Sequence, residues 1–284
     1  MTILVTGASG KLGALVIDAL LARGAAPADL VAGARTPSDL DALAERGIRV
    51  VHLDYDDPSS LAPALAGVDA LLLVSGSAPG ARVAGHANVI AAAAEAGVGR
   101  LVYTSAPQAD TSDLVLAPDH KATEEAIAAS GIPAVILRNN WYTENYAGDL
   151  RVAADTGKVF AAVGDGRVAS APRADYAEAA AVVLLEDGHV GATYELGGDH
   201  PWTFDELAAA MAEVTGRDVE YVRLTTDERI AALQDAGLDA GTAGFVAALD
   251  ANIAAGALAD SDGTLARLIG RPTTPLVEAL RQAA

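Results

Sequence analysis

Short apolar runs alternate with Ala-rich stretches through the first half of the chain. Ile3–Thr6, Leu30–Ala34, Val50–Leu53, Ala70–Ser75, Leu101–Ser105 and Ala134–Leu137 are β-branched or Leu-rich and predict strands. Between them Leu12–Arg23, Pro37–Arg46, Leu61–Ala66, Val83–Ala96 and Lys121–Ala129 predict helices. Gly24, Gly47, Gly67, Gly97 and Gly131 stand where a left-handed cap would stop each of them. Strands that are apolar throughout are buried on both faces, so their alternation with helices predicts a parallel sheet covered on both sides, a doubly wound α/β fold.

After about Asp149 the rhythm loosens. Ala169–Asp175 leads into an Ala-rich helix through Leu185, followed by a strand at Ala192–Leu196. Thr203–Val214, Thr226–Ala236 and Gly241–Ala257 predict helices, and Val219–Leu224 a strand. The expected organisation is a nucleotide-type domain over 1–150 and a smaller mixed α/β C-terminal lobe over 151–284. A segment at about 174–190 is expected to return to the first domain. The small lobe is expected at the carboxyl ends of the strands, where doubly wound folds hold ligands.

Composition narrows the function classes. Of 284 residues 65 are Ala and 28 Gly, only three are Lys and none is Cys. The missing Cys removes disulfides, thiol catalysis and thiolate metal sites, and no other metal ligand set stands out. The formal charge of −19 and the lack of any dense Lys/Arg run argue against nucleic acid as a partner, and no apolar run approaches a membrane span. Strand-like residues follow Met1 directly, so a cytoplasmic protein without a targeting segment is expected.

Against that background the first strand runs into Thr6-Gly7-Ala8-Ser9-Gly10-Lys11-Leu12-Gly13 and then a helix. Glycines at 7, 10 and 13 allow a tight turn, close approach to a pyrophosphate and close helix–strand packing, with Ser9, Lys11 and Leu12 at the positive helix end. In this strand–loop–helix context the spacing predicts a dinucleotide site in a Rossmann domain. The second strand ends Gly33-Ala34-Arg35, with no carboxylate for a ribose 2′-hydroxyl. Arg35 is placed to pair with a 2′-phosphate instead, so NADPH is the expected cofactor. Asp54 and Tyr55 end the third strand, Asp54 serving either the adenine amino group or as a helix N-cap or turn residue. Ser75-Gly76-Ser77 and Ser105 end the fourth and fifth, where small polar residues face a cofactor or merely close a strand.

The Tyr-x-x-x-Lys pair that short-chain dehydrogenases carry after the fifth strand is incomplete. Lys121 stands at the Lys position, but four residues earlier is Ala117. Lys121 is expected near the cofactor ribose and His120 toward the substrate, an exposed helix start being the alternative for both. Hydride transfer to an isolated carbonyl creates a basic alkoxide that needs a proton donor. A quinone gives a delocalised phenolate-type anion that water can protonate later, and cationic dyes and other electron-poor conjugated acceptors share the freedom from a protein acid. A cofactor site without the Tyr also fits no catalysis at all.

The sixth strand is followed by Arg138-Asn139-Asn140-Trp141-Tyr142-Thr143-Glu144-Asn145-Tyr146, which holds three of the twelve aromatics. Flat rings beside amides suit a planar, oxygen-bearing ligand, so Asn139, Asn140, Trp141, Tyr142 and Tyr146 are candidate pocket residues, a clamp between lobes being the alternative. Asp175 is expected to cap the helix that follows it.

Together the Gly7–Gly13 loop, Asp54-Tyr55, Tyr103-Thr104-Ser105, Arg138–Tyr146, Arg173–Tyr176, Pro201–Thr203 and Leu268–Thr273 resemble the NmrA-like atypical short-chain dehydrogenases. Within them the chain is similar to the bacterial NAD(P)H:quinone oxidoreductases, with the triphenylmethane reductases as near relatives. The resemblance covers essentially the whole chain. It implies a Rossmann domain with a small C-terminal lobe, NADPH preference, and hydride transfer to a quinone or dye without a Tyr acid. It leaves a homodimer open. Asn140, where Gly is expected, and Lys121, where an apolar residue is usual, depart from the pattern and bear on the choice of acceptor. The competing expectation is a redox sensor that binds NADP(H) without turnover, since the family includes such regulators.

Overall fold

The computed structural model describes residues 1–76 and 80–284, so Ser77 lies outside the described residues. In chain order the elements are β1 (Ile3–Val5), α1 (Lys11–Ala22), β2 (Leu30–Ala34), α2 (Asp41–Glu45), β3 (Arg49–His52), α3 (Pro58–Leu65), β4 (Ala70–Leu73), α4 (Arg82–Glu95), β5 (Arg100–Ser105), α5 (Ala117–Ser130) and β6 (Ala134–Asn139). Then come α6 (Ala147–Thr156), β7 (Lys158–Ala161), β8 (Arg167–Val168), α7 (Arg173–Leu185), β9 (Thr193–Leu196), β10 (Trp202–Thr203), α8 (Phe204–Thr215), β11 (Glu220–Arg223), α9 (Thr226–Asp235), α10 (Ala240–Ala254), α11 (Thr264–Ile269) and α12 (Leu276–Ala283). They form two compact units. The first is Met1–Asp110, Pro118–Asn139 and Arg173–Tyr194; the second is Thr111–Ala117, Asn140–Pro172 and Glu195–Ala284.

The central sheet has the order β3-β2-β1-β4-β5-β6-β9, and every pairing from β3 through β6 is parallel. The order reverses at β1, which has β2 on one side and β4 on the other. Connections leave the carboxyl ends of β1 and β4 in opposite directions and open a crevice between them. Thr6, fully buried just past β1, ties these strands: its hydroxyl donates to Leu72 O (3.0 Å) and accepts from Val74 N (2.9 Å). Leu4, Leu71, Leu73, Leu101 and Tyr103 join Leu61, Leu65, Val89, Ile90 and Ile127 in the core under one face. On α7, Asp175, Tyr176, Ala177 and Ala179–Leu184 are buried, and Arg23 of the α1 terminus pairs with Glu178 at 2.9 Å. Arg100 opens β5 and donates to the Val183, Leu184 and Glu186 carbonyls, a cation placed on the negative end of α7.

Several elements depart from the sequence expectation. Helix α3 starts at Pro58, because Asp57 accepts from Ser59 N as N-cap and Pro suits the first turn. Helix α5 starts at Ala117, a turn before the expected Lys121. Arg138 and Asn139 belong to β6 rather than following it, and Ser105 pairs with Arg138 in register. Asp175 is the third residue of α7 and fully buried, not its cap.

Between α4, β5 and α5 the first unit buries a polar network. Arginine only donates, so in the Arg82 Nη1–His120 contact (3.3 Å) His120 Nε2 accepts. The His120 proton therefore sits on Nδ1, 2.9 Å from the Tyr103 hydroxyl. His86 Nε2 accepts from Gly76 N–H at 2.9 Å, which leaves its proton on Nδ1, facing Thr123 Oγ1 at 2.9 Å. Thr123 passes its own hydrogen to Asp119 O. Burial first, then Arg82, pushes His86 down to about 4 and His120 down to about 3. Both rings are neutral.

The second unit holds two small sheets, β10 with β8 antiparallel and β11 with β7 parallel. Thr203 with Glu206 and Thr225 with Glu228 form capping boxes on α8 and α9, and Asp239 caps α10. Trp202 and Phe204 pack edge-on to Tyr146 with ring centroids 5.1 and 5.8 Å away, and Tyr221 continues the stack. Asp250 accepts from Ala162 N and Arg229 Nε, while burial pushes Asp149 up to about 6. Among the described residues no helix is long and apolar enough to cross a membrane.

The neutral histidines fix a pH dependence of stability. An unfolded His takes up a proton below about pH 6.5, whereas His86 stays neutral in the fold to about 4. Stability is then full above 6.5 and falls as pH drops through the interval from 6.5 to 4, by roughly 3 kcal/mol for His86 alone. Asp149 acts oppositely in the same interval, so the histidine share is the difference between the native protein and His86→Gln. Urea midpoints measured from pH 7.5 to 4.5 are expected to fall more steeply for the native protein; parallel curves would contradict the assignment.

Candidate functional site

The first unit gathers its small and charged residues at the carboxyl ends of its strands. Gly7 has φ +56°, a left-handed conformation that favours glycine. A Cβ on Gly13 would lie 2.3 Å from Gly7 O and 3.0 Å from Ala8 Cα, so no side chain fits where α1 meets the loop. Gly10 is the N-cap, with Lys11 exposed at the first helical position and Leu12 buried behind it. No side chain caps α1 and its first turn holds no acid, which leaves its positive end facing outward beside exposed Ser9.

Arg35 follows β2 and is exposed, and His52 Nδ1 donates to its carbonyl at 2.9 Å, fixing the backbone from which the guanidinium extends. Asp54 makes a turn rather than a helix cap: its Oδ1 accepts from Asp56 N, and Ser60 Oγ contacts both its N–H and its carbonyl. Tyr55 sends its hydroxyl into the sheet ends, donating to Val74 O (2.7 Å) beside Thr6 Oγ1 (2.5 Å), and burial raises its pKa. Ser75 N donates to Thr104 Oγ1, and a Cβ on Gly7 would lie 3.7 Å from Val74 Cβ, so the β4 tip and the glycine loop are neighbours. Ser105, buried at the end of β5, donates to Glu124 Oε1 at 2.5 Å.

Two expected residues stand elsewhere. His120 faces Tyr103 and Arg82 in the interior, only 4% exposed. Lys121 is exposed and reaches the Asp110 carbonyl at 3.4 Å. Glu124 of that helix is gripped by Arg138 through Nε (3.0 Å) and Nη2 (2.6 Å), while Arg138 Nη1 also reaches Asp110 at 2.8 Å. Sequence reasoning missed Glu124, Arg82, His86 and His52. The signal for the first was His120, Thr123 and Glu124 at helical spacing on one face; the others, single polar residues in helices or at a strand end, carried none.

The chain passes from the first unit to the second after Asn139, itself buried. Asn140 is buried too, donating to the Leu258 and Asp260 carbonyls and accepting from Trp141 N. Trp141 and Tyr142 are half-buried, held by hydrogen bonds on either side of Ala171. Tyr146 turns into the aromatic core of the second unit at 6% exposure, and among the described residues its hydroxyl has no hydrogen-bond partner.

Comparison with known proteins follows this geometry. Residues 7–187 match the family described as NAD(P)H-binding. The chain is 46% identical to quinone oxidoreductase 2 of Escherichia coli (strain K12) over 98% of this chain and 97% of that one. The crystal structure of the Escherichia coli NADPH-dependent quinone oxidoreductase complexed with NADPH superposes with a TM-score of 0.95 at 45% identity, covering 99% of each chain. The Citrobacter sp. triphenylmethane reductase complexed with NADP(H) gives 0.95 at 39%, covering 100% of each. The strand order that reverses at a glycine cradle, together with identity along nearly the whole length, establishes that the chain belongs to the NAD(P)H-binding, NmrA-like family.

Proposed function

We propose that the protein is an NADPH-dependent oxidoreductase that delivers hydride to quinones or similar electron-poor conjugated acceptors. The single observation that carries the cofactor assignment is the cradle of Gly7, Gly10 and Gly13 beneath an uncapped helix start, packed so closely that a Cβ at position 13 would strike Gly7 O. When bound, NADPH supplies a hydride. The first-turn N–H groups of α1 and Lys11 would hold the pyrophosphate, and Arg35 the 2′-phosphate. Asp54 would accept from the adenine amino group. Ser75, Gly76 and Ser105 would line the remainder, with Asn139 closing β6. Trp141 and Tyr142 are the rings proposed to meet the acceptor.

Hydroxyl bookkeeping in the first unit supports an acceptor that needs no proton from the protein. Ser105 gives its hydrogen to Glu124, and that carboxylate is ion-paired with Arg138. Tyr55 donates to Val74 O, and Tyr103 is fully buried against His120, with burial raising its pKa. Ala117 stands where the short-chain dehydrogenase Tyr would fall. A quinone accepts hydride to give a delocalised phenolate that solvent protonates afterwards, and a cationic dye accepts it to give a neutral product that needs no proton.

Purified protein is expected to oxidise NADPH, read as loss of nicotinamide absorbance, only when a small quinone or dye is supplied. Tight NADPH binding without acceptor-dependent loss would favour a sensor. Arg35→Ala is expected to weaken NADPH about tenfold or more while leaving NADH nearly unchanged, since a charge-assisted contact contributes about 1.5–3 kcal/mol; equal losses would remove Arg35 from this role. Gly13→Ala is expected to lower affinity for both cofactors at least tenfold by calorimetry, and native affinity would refute the cradle.

A further inference from the structure

Past β4, Gly76 and Gly80 are each held through the backbone N–H by a polar side chain, the first of α4 and the second of α5. Gly76 N–H donates to His86 Nε2 at 2.9 Å. Gly80 N–H donates to Asp119 Oδ2 at 2.7 Å. His86 is fully buried on α4, with Tyr55 and Tyr103 edge-on to its ring at 5.9 and 5.6 Å. Its Nδ1 is held by Thr123, which itself is anchored to Asp119 O on α5. One tautomer of one ring therefore links the β4 tip to two helices. Gly76 lies against α4: a Cβ there would be in ordinary contact with Arg82 Cβ at 3.4 Å and His86 Nε2 at 3.6 Å.

We propose that His86 is a positioning residue for the nicotinamide cofactor, its neutral Nε2 holding Gly76 so that the β4 tip is preorganised beside the glycine loop. The inference rests on the NADPH reading above. Ser75 and Gly76 border the crevice at the sheet's reversal point, since β4 pairs with β1 and Val74 lies against Gly7. A tip fixed before binding spares the cofactor the cost of ordering it. His86 acts through Gly76 and does not itself touch the cofactor.

Two substitutions separate the ring's two nitrogens. In His86→Gln the side-chain oxygen can take the place of Nε2 and accept from Gly76, whereas His86→Asn reaches only the Nδ1 position and leaves Gly76 N–H without an acceptor. NADPH Kd, KM and kcat are measured for the native protein and both variants, with Tm and the amide-exchange rate of Gly76 in the cofactor-free protein. Expected are a Kd within about twofold of native for Gln, and for Asn a Kd and KM raised about tenfold with kcat little changed and Gly76 exchange accelerated. Equal Kd values for the two variants, or a Kd that tracks only the fall in Tm, would overturn the proposal. Native protein that binds no NADPH would overturn the functional reading and this one with it. Native binding with unaltered Gly76 exchange in Asn would overturn the positioning role alone.

Discussion

No side chain fits between the first helix and the loop that precedes it. Position 13 must lack a Cβ because Gly7 O would stand 2.3 Å from it, and Gly7 must accept a positive φ to present that carbonyl. From these two facts follows the place of α1: its first turn sits directly over the carboxyl end of β1, the strand at which the sheet order reverses. The N–H groups of that turn then point out of the crevice with no side chain across them. Thr6 holds the same spot from below by joining β1 to β4.

The constraint matters more here because the chain is so acidic. With a formal charge of −19 the far field opposes an anionic ligand, and attraction must be local. Most arginines of the first unit that reach its interior already have partners. Arg82 faces His120 and Asp119, Arg100 caps α7, and Arg138 holds Glu124 and Asp110. Arg35 and Lys11 differ in being exposed at the ends of β2 and the glycine loop, and neither end carries a carboxylate immediately beside it. The helix terminus supplies the rest of the positive potential without adding a charged side chain.

What was legible in the sequence was whatever rests on local rules. The inner strands β1, β2, β4 and β5 show as apolar runs because both faces are buried, and glycine stops show because the left-handed cap favours glycine. Residues 158–168 showed nothing, since β7 and β8 are two to four residues long and pair with β11 and β10 far along the chain. Asp175 has the residue type of a cap yet lies inside α7, and His120 has that of a catalyst yet completes a buried network. Tyr146 sits in a segment whose composition suggests a ligand, but its ring fills the core around Trp202 and Phe204. In each case chemical type was readable and direction was not, because direction is set by long-range packing.

Direction also bears on the missing Tyr, because it decides whether another side chain of the first unit could take its place. A proton donor must be accessible, hold a hydrogen not already engaged, and have a pKa within reach of neutrality. Tyr103 is fully buried on β5 with its pKa raised by that burial. Ser105 is at the right strand end, but its hydrogen is held by the Glu124 carboxylate, which Arg138 grips in turn. With no Cys in the chain, thiol chemistry offers no alternative route for electrons. The first unit is thus built to place a hydride donor and to withhold protons. Such a site discriminates among acceptors by the stability of the anion that hydride addition leaves behind, and an isolated ketone fails that criterion where a quinone meets it.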